Sequence, residues 1–298
     1  MKAKRVFILG TTGYIGGSLA IYLLERGYQV SSLVRKQADV ALVQQLGIHA
    51  TAGILVESPD VQAILGTADI IINVSDSDDP FMVSAILDAL EGSGKTFIHT
   101  SGGGMIGDKA AGQYAGEVVY TDIPENPLLE RAGRVAIDKA VLAAAQRSIR
   151  SMVICPTMVY GKGLGLKKES DQIPALIREA QKRKNAVMVG KGVNLTSNVH
   201  IMDLLALYEL AVEKGTAGSF YYAENGRTSF YAIAERINQV LGFDREITSL
   251  SIHEAIKIWS PAMAHFGMGS NILASAEKAR KELGWQPVYN NLLEEISL

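Results

Sequence analysis

Val6-Phe7-Ile8-Leu9-Gly10-Thr11-Thr12-Gly13-Tyr14-Ile15-Gly16 joins four consecutive apolar residues to three glycines at a spacing of three. A short apolar run of this kind fits a strand covered on both faces, as in a parallel sheet. Residues 18–26 then read as a helix closed by Gly27, the usual left-handed C-cap. The glycines therefore stand between a strand and a helix. Their G-x-x-G-x-x-G spacing departs from G-x-G-x-x-G, but the physical roles are the same. Glycine permits a tight turn and lets the backbone approach a pyrophosphate, which then rests on the amides and positive dipole of the helix N-terminus. The bland alternative is a glycine turn that only connects two elements. On the dinucleotide reading the contacting residues are Gly10, Thr12, Gly13, Tyr14, Ile15 and Gly16.

Further strand-like runs fall at 29–34, 48–52, 69–74, 96–100 and 151–155, with helical patterns between the early ones. Alternation of this type implies βαβ units and a parallel sheet. After Cys155 the texture changes: Pro156, Gly161, Gly163 and Gly165 lie close together and a polar stretch covers 167–171. Amphipathic helices are expected near 173–184, 204–214 and 231–241, with a late strand at 219–222. The expected fold is α/β, a Rossmann-type doubly wound parallel sheet with helices on both faces, plus a smaller C-terminal substrate lobe. Residues 1–160 form the dinucleotide domain, 161–298 are mainly the lobe, and 219–222 returns to the first sheet.

The end of the second strand selects the dinucleotide. An acidic residue there would bond the adenosine ribose 2′-hydroxyl and repel a 2′-phosphate. The chain instead has Leu33-Val34-Arg35-Lys36, whose Arg35 offers a planar fork for phosphate and whose Lys36 adds a second cation. NADP(H) is the expected cofactor; the alternative is a pair of solvated surface cations. Asn73, Val74 and Ser75 end the fourth strand, where the carboxyl edge of the sheet passes the cofactor, chiefly through backbone contact.

Taken with Ile98-His99-Thr100-Ser101-Gly102, Ile154-Cys155-Pro156-Thr157-Met158-Val159-Tyr160-Gly161, Asn198-Val199-His200-Ile201-Met202-Asp203-Leu204 and residues 279–287, the chain resembles the short-chain dehydrogenase/reductase superfamily. The likeness is to its extended, epimerase/dehydratase-like branch and to atypical members of it. The resemblance implies a Ser or Thr after the fifth strand, then Tyr-x-x-x-Lys on a helix, where i, i+4 spacing puts phenol and ammonium on one face. It assigns Ser101 and Lys139 as catalytic and adds Thr100, Lys139, Cys155, Pro156, Thr157 and Met158 to the cofactor contacts. Val135 occupies the tyrosine position. Cys155 itself reads as buried packing, Ser101 has the alternative of a turn serine, and Lys139 that of a surface lysine. A general acid or base contributes roughly 10²–10⁴ in rate, so the loss matters. Three readings stay open: another proton donor (Lys139, Tyr120 or Tyr160), a proton from water or substrate, or cofactor binding without turnover.

Composition removes other classes. With 298 residues, 48% hydrophobic and 20% charged, the chain is neither disordered nor fibrous. Lys+Arg 29 against Asp+Glu 31 leaves no basic footprint for nucleic acid or anionic membrane. One cysteine and five scattered histidines suggest neither disulfide framework nor metal site. The basic start Lys2-Ala3-Lys4-Arg5 is followed by an apolar run that stops at Gly10, too short for a signal peptide, so a cytoplasmic location is expected. Asp203 reads as a helix N-cap, and the loop 161–172, with Lys167 and Lys168, as a candidate substrate lid. The functional expectation is an NADPH-dependent oxidoreductase acting on a small carbonyl, imine or activated alkene, with a homodimer expected by analogy. The alternatives are an NADP(H)-binding redox-sensing regulator without turnover and a nucleotide-sugar epimerase or dehydratase.

Overall fold

The computed structural model describes residues 4–297; Lys2 and Ala3 of the basic start lie outside them. The strands are β1 (Arg5–Leu9), β2 (Gln29–Val34), β3 (His49–Ala52), β4 (Ile70–Asn73), β5 (Thr96–Thr100), β6 (Arg150–Pro156), β7 (Met158–Tyr160), β8 (Val187–Val189), β9 (Leu195–His200), β10 (Ser219–Ala223), β11 (Arg227–Ser229) and β12 (Thr248–Leu250). The helices are α1 (Tyr14–Glu25), α2 (Gln37–Gln44), α3 (Val61–Gly66), α4 (Pro80–Leu90), α5 (Leu129–Ala143), α6 (Gln172–Arg183), α7 (Ile201–Lys214), α8 (Phe230–Leu241), α9 (Ile252–Ile258), α10 (Glu277–Leu283) and α11 (Leu292–Glu295). Among the described residues no helix is long and apolar enough to cross a membrane.

Seven parallel strands form one sheet in the order β10-β6-β5-β4-β1-β2-β3. The period of two along a strand divides its side chains between two cores. On β1, Val6 and Ile8 join the cluster that includes Leu19 and Leu23 of α1 and Leu204 and Leu207 of α7. Phe7 and Leu9 join the opposite cluster, with Ile86 of α4 and Val141 of α5. Each such buried side chain contributes roughly 1.5–3 kcal/mol relative to exposure, which is why β1 reads as continuously apolar. The chain winds from β1 to β3 on one side, then crosses to β4 on the other. That reversal opens a crevice at the carboxyl ends of β1 and β4.

The later residues build a lobe with a third apolar cluster, including Ile173, Leu176, Val187, Ile233 and Ile237. A three-stranded sheet, β11-β9-β7, and the parallel pair β12-β8 accompany it. The strand at 219–223 adds to the edge of the large sheet beside β6.

Two local expectations are corrected. Helix α1 begins at Tyr14, not residue 18, because Gly16 and Gly17 are helical and buried where α1 crosses the glycine turn. Asp203 is not the cap of α7: the His200 ring accepts from the Met202 amide in that role. The Asp203 carboxylate accepts instead from the Val288 and Tyr289 amides, at 2.9 Å each.

Candidate active site

At the carboxyl end of β1, Gly10 takes φ +97°, and a Cβ there would come within 2.8 Å of the Val74 carbonyl oxygen. A Cβ on Gly16 would overlap the Gly10 carbonyl itself. These glycines let α1 start directly over the strand. Gly13 is its extended N-cap, no side chain caps the end, and no acidic residue occupies the first turn. The amides and positive dipole of α1 are thus left for an anion. Thr11 anchors the turn through its hydroxyl, 2.7 Å from the Ser32 hydroxyl.

A cleft of ≈ 420 Å³ runs from Gly10, Thr12 and Gly13 past Val74 and Ser75 to Arg35. Its far wall is Leu33, Ile54, Leu55 and Val56, an apolar surface against which a planar ring could pack. Sequence reasoning missed residues 53–56; the signal was an apolar run after β3 in which Ile54 and Val56 stay 42% and 44% exposed. Arg35 lines the cleft, while Lys36 is exposed at the start of α2 and does not line it. The residues present fit a dinucleotide phosphate: a glycine cradle, an uncapped helix end, and an arginine with no carboxylate at the end of β2.

A second chamber, also ≈ 420 Å³, begins at Tyr14 and Ile15, next along the chain to Gly13 of the first, with Ser101, Pro156, Thr157 and Met158 on its walls. Gly102, Gly103 and Gly104 form one side and the wide helical turn Met263–Met268 contributes Met263 and Phe266. Tyr14 closes the junction by donating to the Gly161 carbonyl at 2.7 Å. The loop after Gly161 is held on α1, since the Leu164 amide donates to Ser18 Oγ at 2.9 Å. Lys167 pairs with Asp171 and Lys168 donates to the Leu164 carbonyl, so both lysines are engaged within their own loop.

Beneath Ser101 lies a buried polar chain. Ser101 Oγ donates to Asp138 Oδ2 at 2.6 Å. Among the described residues Asp138 Oδ1 has no hydrogen-bond partner, and it sits 3.7 Å from His99 Nε2, which also lacks one. His99 Nδ1 faces the Asn73 amide nitrogen at 3.2 Å, and Asn73 Oδ1 accepts from the Ser75 hydroxyl at 2.7 Å. An amide donor on Nδ1 assigns the imidazole proton to Nε2, facing the carboxyl. Burial pushes the Asp138 carboxyl up to about 7, against the lowering effect of the Ser101 hydrogen bond and the Arg134 charge. Burial and the Arg134 charge hold His99 down, at about 4, so the ring is neutral. Asn73 thus contributes its side chain to this chain rather than lining the cleft.

The register of α5 corrects the catalytic assignment. Arg131, Arg134 and Asp138, at i, i+3 and i+7, face the site, while Lys139 is exposed and turned about 100° away from Asp138. Val135 is buried in the core with Phe97 and Val153. The i, i+4 pair on the site face is therefore Arg134 and Asp138, and Arg134 is held by Asp78 through two hydrogen bonds of 2.8 and 2.6 Å. Two of the expected cofactor residues have side chains engaged inside the fold. The Thr100 hydroxyl is 2.6 Å from that of Tyr208, tying β5 to α7, and Cys155 is fully buried with its thiol pushed up by burial. Neither Tyr120 nor Tyr160 lines the second chamber. Tyr120 packs beside the sheet core and bridges to Ala274, while Tyr160 donates to the Tyr289 carbonyl.

The sequence model of the NAD dependent epimerase/dehydratase family matches residues 6–222. An oxidase from an Acremonium species is 27% identical, with 99% of this chain and 96% of that protein covered. A 4-hydroxy-2-methyl-3-oxo-4-farnesyl-3,4-dihydroquinoline-1-oxide ketoreductase from Stigmatella aurantiaca is 22% identical, covering 94% and 91%. Among solved structures, the dTDP-glucose 4,6-dehydratase of Bacillus anthracis in complex with NAD superposes with a TM-score of 0.78 over 98% of this chain and 95% of that one. Its 16% identity makes that a likeness of fold.

Proposed function

Because the chain belongs to the NAD-dependent epimerase/dehydratase family, we propose that it is an NADPH-dependent reductase of a small carbonyl, imine or activated alkene, with Ser101 as the hydrogen-bond donor to the substrate and Asp138 as the proton store behind it. The observation that carries the reading is the 2.6 Å hydrogen bond between these two groups at the wall of the second chamber. Bound NADPH supplies the hydride. For a carbonyl substrate, negative charge then develops on the oxygen, and a positioned hydroxyl stabilises it. With Asp138 protonated, its Oδ2–H donates to Ser101 Oγ across this contact and leaves the serine hydrogen for the substrate. As Ser101 gives that hydrogen to the oxygen, it takes the proton held on Asp138, which is left as a carboxylate. A carboxyl poised at about 7 suits this task near neutral pH. Arg134, neutralised by Asp78, cannot act as a phenol would.

Arg35 and the absence of an acidic residue at the end of β2 support NADP(H), and a ketoreductase among the relatives supports reduction. Fluorescence titration of purified protein with NADPH and NADH, repeated with Arg35→Ala, tests the cofactor. NADPH is expected to bind selectively, and the substitution to weaken it by about tenfold, or 1.4 kcal/mol. Equal affinity for the two nucleotides would remove the 2′-phosphate reading. NAD retained tightly through purification would favour the epimerase or dehydratase reaction, and nucleotide binding without hydride transfer would favour a regulator.

A further inference from the structure

Arg131 is 8% exposed, yet its guanidinium makes no ion pair or hydrogen bond among the described residues, and its Nε is buried without a partner. It lies over the Phe266 ring at 3.9 Å, on the wall of the chamber that holds Ser101. The neighbouring charges are already matched: Arg134 with Asp78, Glu130 with Lys109 and, across the chamber, Asp171 with Lys167. One positive charge is left over. A buried, unpaired guanidinium is costly, and an aromatic face offsets only part of that cost.

We propose that the substrate supplies the missing counter-ion, and that this site takes a carbonyl compound bearing a carboxylate, gripped by Arg131 while the reacting group meets Ser101. The proposal deepens the reductase reading and rests on the same chamber. With one face of the guanidinium covered by Phe266, its edge remains, and that edge matches a planar carboxylate through two parallel hydrogen bonds. Met158, Ala262, Met263 and Ile272 provide an apolar wall, so the rest of the molecule is a hydrocarbon or aromatic body.

The test compares phenylglyoxylate with phenylglyoxylamide, which share shape and carbonyl but differ in charge, by calorimetric titration of the full chain with and without NADP⁺. The acid is expected to bind about tenfold to a hundredfold more tightly than the amide, the range for a hydrogen-bonded charge. Arg131→Gln should abolish that difference and leave NADP⁺ affinity unchanged, with thermal unfolding confirming that the variant is folded. The wild-type comparison needs no variant. Equal binding of acid and amide, binding of neither, or a preference that survives in Arg131→Gln would each overturn the proposal and leave Arg131 a packing residue on Phe266. NADP⁺ affinity is read separately at the other end of the cleft, so failure of the cofactor assignment is distinguishable from failure of carboxylate recognition.

Discussion

Ionising Asp138 inside the protein strips a carboxylate of water and leaves Oδ1 without a hydrogen-bond donor among the described residues, so its titration is a stability term as well as part of the proposed mechanism. The groups facing it are His99 and Ser101 from β5 and its end, Arg134 from its own helix, Asp78 from the loop before α4, and Cys155 from β6. With a folded value of about 7 against 3.8 ordinarily, the native state keeps a proton that the unfolded chain has lost between those values. This contribution is full below pH 3.8 and is lost as pH rises through about 7. His99 has the opposite sign: at about 4 against 6.5, its neutral burial costs stability as pH falls through that window. Asp138→Asn removes the first term and keeps the second. The variant should therefore gain stability relative to wild type on going from pH 4 to pH 8, on the order of a few kcal/mol, as read by urea midpoints. A difference that does not change with pH would show that Asp138 does not titrate in that window. In parallel, wild-type turnover should decline above pH about 7 while the variant's stays low and flat.

At the scale of single elements, α1 and α5 differ in how much the sequence revealed. The glycine turn was legible because its signals are local: an apolar strand, glycines at fixed spacing, and Gly27 at the helix end. The register of α5 was not legible. Adjacent helical residues point about 100° apart, and a charged stripe of Arg131, Arg134 and Asp138 reads as a solvated face until the cleft beside it is known. The apolar residue Val135 then looked like the altered site position, though it belongs to the core. The α1 assignment makes its own prediction. Alanine normally stabilises a helix over glycine by up to about 1 kcal/mol, but a Cβ on Gly16 would overlap the Gly10 carbonyl. Overpacking of that kind costs about 1–3 kcal/mol and displaces the amides meant for phosphate. Gly16→Ala should thus lower the melting temperature and weaken NADPH by at least about tenfold. A variant as stable as wild type, binding the nucleotide as well, would mean that α1 need not approach β1 so closely.

Over the whole molecule, alternation of strands and helices is why the doubly wound architecture could be anticipated, whereas the place of the late strand beside β6 comes from the structure. The tie between the chain's end and the centre of the fold could not, because it joins residues more than 80 positions apart. Trp285 Nε1 donates to the Asp203 carbonyl at 2.9 Å, and the Asp203 carboxylate accepts the two amides that follow Pro287. Tyr289 then stacks on His200 at 4.0 Å, and His200 meets the edge of Tyr160. This strap fixes β7, β9 and α7 together, and with β7 the part of the second chamber lined by Met158 and Val159. Asp203→Ala removes the charged acceptor of two amides on exposed residues, a loss of about 1–3 kcal/mol, which for a chain of this size lowers the melting temperature by roughly 3–8 °C. Asp203→Asn keeps one acceptor oxygen and should fall between the two. NADPH affinity should change little, because β1, α1 and Arg35 make none of these contacts. A variant that melts with the wild type would show residues 285–289 to be a surface tail, and the lobe to be held by its apolar core alone.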